Sequence, residues 1–228
     1  MERHLYEALE NPFWAALTST HAAHAQDVGA LKRFAPEVAP FCAVGQAEAD
    51  IRTARGAQPG EVLNFLGVIP ALPDGWRVLA RGAVLQMVYA GAPAVGDAAD
   101  SGARVLGEAD LPAMLELTAL VYPEYFRPRS TVLGTYIGVH HDGRLVAMAG
   151  QRMASTGYRE ISAVCTHPAH TGRGHARRLI AQLARAILAE GRTPFLHVSA
   201  SNERAWGLYQ DLGFAASREL RLLKVSTS

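Results

Sequence analysis

The chain has 228 residues, of which 49% are hydrophobic and 19% are charged. This composition excludes a disordered, collagen-like or coiled-coil protein and leaves room for one large or two small globular domains. Its net charge of +1 excludes the broad basic surface of a general nucleic-acid or membrane-surface binder. Because the amino terminus lacks an apolar signal region and no apolar stretch could span a bilayer, we expect a cytoplasmic protein that binds neither nucleic acid nor membrane.

The chain contains only two cysteines, Cys42 and Cys165. They are far apart and lack CxxC spacing, so the sequence predicts neither a disulfide framework nor a zinc site. The scattered histidines of the amino-terminal half also lack a consistent metal-ligand spacing. We therefore expect two reduced thiols and no metal.

A turn-forming stretch of small residues, GAPAVGDAADSGA from Gly91 to Ala103, predicts a domain boundary. It separates an α/β unit over residues 1–102 from a second unit over residues 103–228. The first unit has no recognisable chemical motif. Its patterns predict helices at Glu2–Leu9, after an Asn11 cap followed by Pro12, and at Ala47–Arg55, and strands at Ala39–Val44, Val62–Val68 and Val84–Ala90.

The second unit shows the alternation of strands and helices that is typical of an α/β or α+β sheet domain. The patterns predict a strand at Val105, an amphipathic helix that begins at Ala109 or Asp110 and ends at Val121, and a strand at Glu160–Thr166. Between these elements, Asp142-Gly143 predicts a hairpin turn, because glycine tolerates positive φ. The hairpin joins two predicted strands, Tyr136–His140 and Leu145–Arg152.

A glycine-containing turn precedes a long amphipathic helix in PAHTGRGHARRLIAQLARAILAEG, which Gly191 ends. Gly172 and Gly174 would let a ligand approach the unpaired amides of the helix's first turn. Arg173, Arg177 and Arg178 crowd the positive end of the same helix, where cations are unfavourable unless an anion offsets them. The pattern thus indicates an anion site, or alternatively solvated arginines beside glycines that only tighten a turn.

Two common nucleotide motifs are excluded at this turn. The string contains no GxxxxGK followed by Ser or Thr, so it is not a Walker loop. In a dinucleotide fingerprint the third glycine would stand where this chain has Arg177. A nucleotide-binding protein therefore remains a weaker interpretation of the turn.

A second motif follows the predicted strand Pro194–Ser199 in SASNERAWGLYQDLGF. Ser201 or Asn202 would cap a short helix that ends at Gly213. Tyr209 lies seven residues after Asn202, which brings both to nearby azimuths of that helix. The alternative for Tyr209 is a half-buried aromatic residue whose hydroxyl lies at the surface.

The ordered combination of EISAVCTHP, HTGRGHA, PFLHV and N-x-x-A-x-x-L-Y-x-x-L-G-F resembles the GNAT superfamily of acyl-CoA N-acyltransferases. It is most similar to the bacterial branch related to glycine N-acyltransferase-like proteins, and the resemblance covers about Val105 to Leu223. It implies a GNAT fold, with a mixed, mostly antiparallel central sheet flanked by helices and preceded by a degenerate α/β amino-terminal half. It also implies acetyl-CoA as co-substrate, a small-molecule or peptide amine as acceptor, and a monomer or homodimer.

The resemblance also implies roles for individual residues. The family's phosphate turn matches residues 171–176, although Thr171 stands where relatives usually have Gln or Arg. Tyr209 matches the usual general acid. The implied cofactor-binding residues are Val164, Thr166, Thr171, Gly172, Arg173, Gly174, His175, Ala176, Arg177 and Asn202.

The implied reaction is direct attack of the amine on the acetyl thioester in a ternary complex. Tyr209 would give its proton to the leaving thiolate, and a backbone amide near Val164 would polarise the carbonyl. Glu160 is the candidate general base, with an exposed edge carboxylate as the alternative, and His197 and His167 are secondary candidates.

An irregular aromatic and basic loop is the candidate acceptor site, because such loops often carry specificity. It contains Tyr122, Glu124, Tyr125, Arg127 and Arg129. The alternative function is a CoA-binding regulatory or interaction protein with little turnover, because the departure at Thr171 is compatible with lost catalysis.

Overall fold

A computed structural model describes residues 8–52, 58–91, 102–121, 123 and 125–227. The amino-terminal part contains α1 (Pro12–Leu17), β1 (Ala25–Val28), β2 (Leu31–Phe34), β3 (Cys42–Val44), β4 (Val62–Leu66) and β5 (Arg77–Tyr89). The carboxyl-terminal part contains β6 (Arg104–Val105), α2 (Leu111–Val121), β7 (Tyr136–His141), β8 (Arg144–Ser155), β9 (Tyr158–Thr166), α3 (His175–Ala189), β10 (Thr193–Ser199), α4 (Glu203–Asp211) and β11 (Phe214–Ser226). Within these ranges, no helix is long and apolar enough to cross a bilayer.

Most strands belong to one eight-stranded sheet in the order β4-β11-β5-β10-β9-β8-β7-β6. Neighbouring strands of this sheet are antiparallel except β9 and β10, which are parallel. A small antiparallel sheet, β1-β2-β3, lies beside it. These features confirm the predicted mixed, mostly antiparallel sheet flanked by helices.

The amino-terminal part contributes β4 and β5 to the large sheet. β5 lies between β10 and β11, with Val88 opposite Phe195 on one side and Ala215 on the other. The boundary predicted at residue 102 therefore separates strands that are hydrogen-bonded neighbours. Because the backbone groups of interior strands need partners on both sides, the two predicted units share one sheet.

Both faces of the large sheet are covered. The predicted apolar stripe of α3 is buried against one face, where Leu179, Leu183 and Ile187 contact Ile161 and Leu196 in one cluster. Each such side chain contributes roughly 1.5–3 kcal/mol when fully buried. On the opposite face, the amino-terminal part supplies the buried side chains Leu9, Phe13, Phe34 and Phe41. These two layers of side chains cover the faces of the sheet, so a site can form at the ends of β9 and β10.

Several predicted elements are confirmed, including the strands β7 to β10, the helices α2 to α4, and the hairpin turn, where Asp142 and Gly143 have φ of 50° and 76°. The helix predicted at Ala47–Arg55 is wrong over residues 47–52, which form turns and irregular backbone, and residues 53–57 lie outside the described ranges. Most of the predicted Glu2–Leu9 helix also lies outside them. Asn11 precedes α1 but does not cap it, because its Nδ2 donates to the Val44 carbonyl oxygen at 2.7 Å.

Candidate active site

β9 and β10 pair only near their starts and then separate. The paired residues are Tyr158–Glu160 of β9 and Thr193–Phe195 of β10. β9 also has one extra residue relative to β8, and within this bulge Ala163 has a φ of 51°. A residue with a Cβ adopts this left-handed conformation only at a cost in free energy. Because β9 separates from β10 and contains a bulge, some of its backbone groups are available to bind a ligand.

A cavity of about 450 Å³ lies where the two strands separate. Its walls come from both strands, from α4 and from the amino-terminal part. The lining includes Ser162, Ala163, Val164, His197, Val198, Ser199, Asn202, Tyr209, Phe13, Phe41, Tyr125 and Arg152. The structure thus brings together five of the predicted site residues, namely Val164, Asn202, Tyr209, Tyr125 and the secondary candidate His197.

The turn before α3 has the predicted conformation. Gly172 and Gly174 have φ of 77° and 74°, and Gly174 is the residue that precedes the helix. In the part of the chain that the structure describes, the backbone N–H groups of residues 172–177 have no hydrogen-bond acceptor. Six consecutive free N–H groups at a helix start form a concave surface that attracts anions. The chemistry of this turn therefore fits a phosphate group.

The arginines of the turn are partly neutralised by the protein itself. Arg177 donates from Nη2 to Asp211 Oδ2 at 2.5 Å, and Arg178 donates from Nη2 to the Arg173 carbonyl oxygen at 3.0 Å. Arg173 is exposed. The sequence analysis did not identify Asp211 as a partner. The crowding of cations is therefore weaker support for an anion than the free N–H groups are.

Other predicted cofactor residues have structural roles of their own. Thr171 donates from Oγ1 to the Pro168 carbonyl oxygen at 3.0 Å, so its hydroxyl stabilises the preceding turn. Thr166 lies half-buried at the end of β9, and His175 and Ala176 lie half-buried in the first turn of α3. Asn202 accepts from the Ala205 amide at 3.1 Å, so it is the cap of α4.

Tyr209 is buried at the cavity, with 8% of its surface exposed. Its ring lies against Phe214, with ring centroids 6.3 Å apart in an edge-to-face arrangement. Phe214 therefore holds one side of the Tyr209 ring, and another side of the ring faces the cavity. The side chain is therefore held at the place where β9 and β10 part.

Glu160 is 1% exposed and fully engaged by hydrogen bonds. Its Oε2 accepts from Arg152 Nε at 2.8 Å, and its Oε1 accepts from Arg152 Nη2 at 2.6 Å and lies 2.8 Å from His197 Nδ1. Burial alone would raise the pKa of this carboxyl, but Arg152 and His197 lower the pKa well below its usual value. The carboxylate is therefore a weak proton acceptor.

The contacts of Gln86 define which ring nitrogen of His197 accepts a hydrogen bond and which one donates. Gln86 Nε2 donates to the Leu9 carbonyl oxygen at 2.9 Å, which fixes the orientation of the amide. The same nitrogen lies 3.1 Å from His197 Nε2, so it donates its second hydrogen there. His197 Nε2 is then an acceptor, and Nδ1 donates to Glu160. The lone pair on His197 Nε2 therefore already accepts a hydrogen bond from Gln86.

Arg152 forms a charged wall of the cavity. This residue was not predicted from the sequence. Its guanidinium lies 4.6 Å from the centroid of the Phe41 ring, within the range of a cation–π contact. Phe41 is stacked on Tyr125 at 5.8 Å between centroids. No local motif indicates this arrangement, because Phe41, Tyr125 and Arg152 belong to three distant segments.

The rest of the predicted acceptor loop contributes less. The Arg127 amide donates to Ser130 Oγ at 2.8 Å, and its side chain does not line the cavity. Arg129 pairs with Glu37 at 3.3 Å and so ties the loop to the amino-terminal part. Tyr122 and Glu124 lie outside the described residues.

Comparisons with known proteins bear on the fold and the family of this chain. A family model described as FR47-like protein matches residues 136–222. A crystal structure from Novosphingobium aromaticivorans, described as an acetyltransferase from the GNAT family, is 34% identical with a TM-score of 0.89, over 97% of this chain and 99% of that chain. A GCN5-related N-acetyltransferase-like protein from Streptococcus suis, 17% identical with a TM-score of 0.61 over 98% and 97% of the two chains, shares the fold.

The chain is also 35% identical over 82 residues to the N-alpha-acetyltransferase RimI of Mycobacterium tuberculosis, which is 35% of this chain and 51% of that protein. The match thus spans about half the length of RimI. Together with the near full-length similarity to the Novosphingobium protein, these matches identify the class as acyl-CoA N-acyltransferases. The chain belongs to the GNAT family, which confirms the predicted superfamily. Its placement in the glycine N-acyltransferase-like branch stays a prediction.

Proposed function

We propose that this protein transfers an acetyl group from acetyl-CoA to an amine by direct attack in a ternary complex. The observation that carries the proposal is the separation of β9 from β10 beside a run of free backbone N–H groups. The gap between the two strands gives an extended thioester arm access to the site, and the free N–H groups bind phosphate. Few other ligands combine a pyrophosphate with an extended arm that ends in a reactive acyl group.

The free N–H groups of residues 172–177 would bind the pyrophosphate of coenzyme A, with Arg173 adding charge at the surface. Val164 and Thr166 lie on the strand that the pantetheine arm would follow. Asn202 lies at the cavity opposite them. This arrangement supports a carrier whose acyl end reaches the bulge at Ala163.

The chemistry needs a proton donor for the leaving thiolate and stabilisation of the carbonyl oxygen. As the amine nitrogen attacks the carbonyl carbon and the carbon–sulfur bond breaks, Tyr209 would give its hydroxyl proton to sulfur. A tyrosine hydroxyl carries its proton at neutral pH, and the departing thiolate is a base that can accept this proton. A backbone amide of the bulge near Val164 would stabilise the negative charge on the carbonyl oxygen.

The geometry supports a different role for Glu160 from that of the general base. Its oxygens are engaged by Arg152 and His197, and its pKa is lowered, so it would be a poor base. We assign it as a positioning residue that holds Arg152 against Phe41. The proton that the amine loses would pass to water in the cavity.

The acceptor would enter from the side of Phe13, Phe41 and Tyr125, which form an apolar wall with Arg152 beside it. An acceptor with an apolar group next to its amine fits this wall. The name of the matched relative RimI, an N-alpha-acetyltransferase, supports an α-amine as the reacting group. Both a free amino compound and a peptide amino terminus satisfy this chemistry.

The test is acetyl transfer from acetyl-CoA to a set of α-amines, followed by free-thiol release and mass spectrometry. The variant Tyr209→Phe should lose at least about 100-fold in kcat and keep its affinity for CoA. Tyr89→Phe is a matched control, because Tyr89 also packs edge-to-face on Phe214 but does not line the cavity. Equal kcat in both variants would overturn the role of Tyr209, and CoA binding without transfer to any amine would favour the regulatory alternative.

A further inference from the structure

β5 extends well beyond its partner β10. β10 pairs with β5 only over Val84–Val88, where Ser199 is opposite Val84. On the other edge, β11 pairs with β5 as far as Arg77. Among the described residues, positions 77–83 of β5 therefore have a strand partner on one edge and none on the other.

This unpaired edge is accessible. Most of its residues are exposed, and Leu79 has 40% of its surface exposed. A Cβ placed on Gly82 would meet no atom within 4 Å. A strand edge of this kind presents N–H and C=O groups that a further strand can satisfy.

The edge leads directly into the candidate active site. Gly82, Ala83 and Val84 line the same cavity as Ser199 and Tyr209. A chain placed on this edge would continue the line of β10 beyond Ser199. One end of that chain would lie in the cavity, and the rest would run along β5 toward Arg77.

The charge beside the edge indicates the kind of chain that fits. Arg77 and Arg81 are exposed and have no ion-pair partner among the residues that the structure describes. Two such cations along seven residues of strand attract acidic side chains and repel basic ones. Acidic residues after the first positions of a bound chain would lie near them.

From these contacts we propose that residues 77–83 of β5 bind the acceptor as an added antiparallel strand, and that the acceptor is an acidic peptide or protein amino terminus. The direction follows from the geometry, because β5 runs toward the cavity and the reacting amine must lie in it. The inference rests on the proposed acetyl transfer and specifies its substrate. The first side chain of the peptide would then face the wall of Phe41 and Tyr125.

Backbone methylation tests the strand directly. In an added strand only alternate N–H groups face the partner, so one N-methyl group in an acidic peptide of about eight residues should matter at every second position. We expect kcat/KM to fall about fivefold or more at positions of one parity, and to stay unchanged at the other parity. Equal effects at both parities would overturn the proposed strand addition.

Charge reversal tests the partner. Arg81→Glu should lower kcat/KM for the acidic peptide and raise it for the same peptide with lysines in place of the acids. Arg144→Glu is the control, because Arg144 is exposed on the distant β7–β8 hairpin. If Arg81→Glu and Arg144→Glu change the ratio of the two peptides equally, the edge does not select acidic chains.

A dipeptide acceptor separates this inference from the proposed function. It can place an amine in the cavity but is too short to run along β5 toward Arg77, so Arg81→Glu should change its kcat/KM less than that of the acidic peptide. Transfer to the dipeptide with no advantage for longer acidic peptides would overturn the strand proposal alone. Absence of transfer to every amine would overturn the proposed function as well.

Discussion

The turn before α3 and the wall around Arg152 lie on two sides of the proposed site, and they are built differently. The turn uses the backbone of seven consecutive residues, 171–177, most of them exposed or half-buried. The wall joins groups from five distant segments, namely the carbonyl group of Leu9 and the side chains of Phe41, Gln86, Arg152 with its partner Glu160, and His197. A backbone site depends on conformation, whereas a buried side-chain network depends on every partner.

This difference has a physical consequence for mutations. Removing one member of a buried, hydrogen-bonded charge network leaves the others without compensation and destabilises the whole fold. Changing an exposed turn alters ligand affinity with a small effect on the free energy of unfolding. The predictions below test this contrast in decreasing order of expected effect on stability.

Glu160→Gln should have the largest effect. It leaves the Arg152 guanidinium buried without its carboxylate, and breaking such a pair costs about 3–5 kcal/mol. Equilibrium unfolding in urea would measure the change. Glu190→Gln is the matched control, because Glu190 pairs with Arg159 at 3.3 Å on the surface, where 43% of its side chain is exposed. The control should cost less than about 1 kcal/mol, and equal losses in the two variants would contradict the contrast.

His21 should make the free energy of unfolding depend on pH. Its Nε2 lies 2.8 Å from the Arg152 carbonyl oxygen and 3.1 Å from the Ala154 amide nitrogen, and burial lowers its pKa from 6.5 to about 4. Between these two values the unfolded chain binds more protons than the folded one, so stability is lost as the pH falls from 6.5 to 4. The loss amounts to about 3 kcal/mol.

The variant His21→Asn isolates this effect. Its free energy of unfolding should depend less on pH between 6.5 and 4 than that of the wild type. Urea unfolding at a series of pH values measures both. An unchanged slope in His21→Asn would show that another group controls the acid stability.

Gly174→Ala should affect the turn more than the fold. Gly174 has a φ of 74°, and a Cβ there would lie 3.0 Å from Arg178 Nη1, so we expect about 1 kcal/mol of destabilisation and weaker CoA binding. Calorimetry with CoA and thermal unfolding measure the two effects. Gly207→Ala is the control in α4, where a Cβ meets no atom within 4 Å; it should stabilise by about 0.5–1 kcal/mol. Unchanged CoA affinity in Gly174→Ala would contradict the assigned turn.

Asp211→Asn should have the smallest effect. Asp211 and Arg177 form an exposed pair, and such pairs contribute roughly 0–1 kcal/mol. Thermal unfolding should therefore show almost no change. A large loss of stability would mean that the start of α3 depends on side-chain charge rather than on its backbone.

The side of the site that is local in sequence could be predicted from sequence. The glycines of the turn, the stripe of α3 and the cap Asn202 each depend on neighbours only a few residues away along the chain, so the geometry of each follows from local conformation. The hairpin at Asp142-Gly143 was predictable for the same reason. These elements match the structure with small shifts at their ends.

Apart from Tyr125, the acceptor side could not be predicted, because it depends on pairing between distant strands. β5 begins at Arg77, seven residues before the predicted strand, since pairing with β11 extends it through Arg81 and Gly82, which have weak strand signals. The strand β11 was not predicted, and neither was Arg152 as the partner that keeps the buried Glu160 ionised. Over residues 47–52, the part of the predicted helix that the structure describes, a short periodic pattern did not outweigh tertiary packing.

The central claim is that the backbone N–H groups before α3 bind the pyrophosphate of coenzyme A. Protein labelled with ¹⁵N at glycine, titrated with CoA and observed by two-dimensional NMR, tests it directly. The amide resonances of Gly172 and Gly174 should move in step with saturation, while that of Gly60, in an exposed turn at the start of β4, should stay in place. Binding of CoA that leaves Gly172 and Gly174 unmoved would contradict the account.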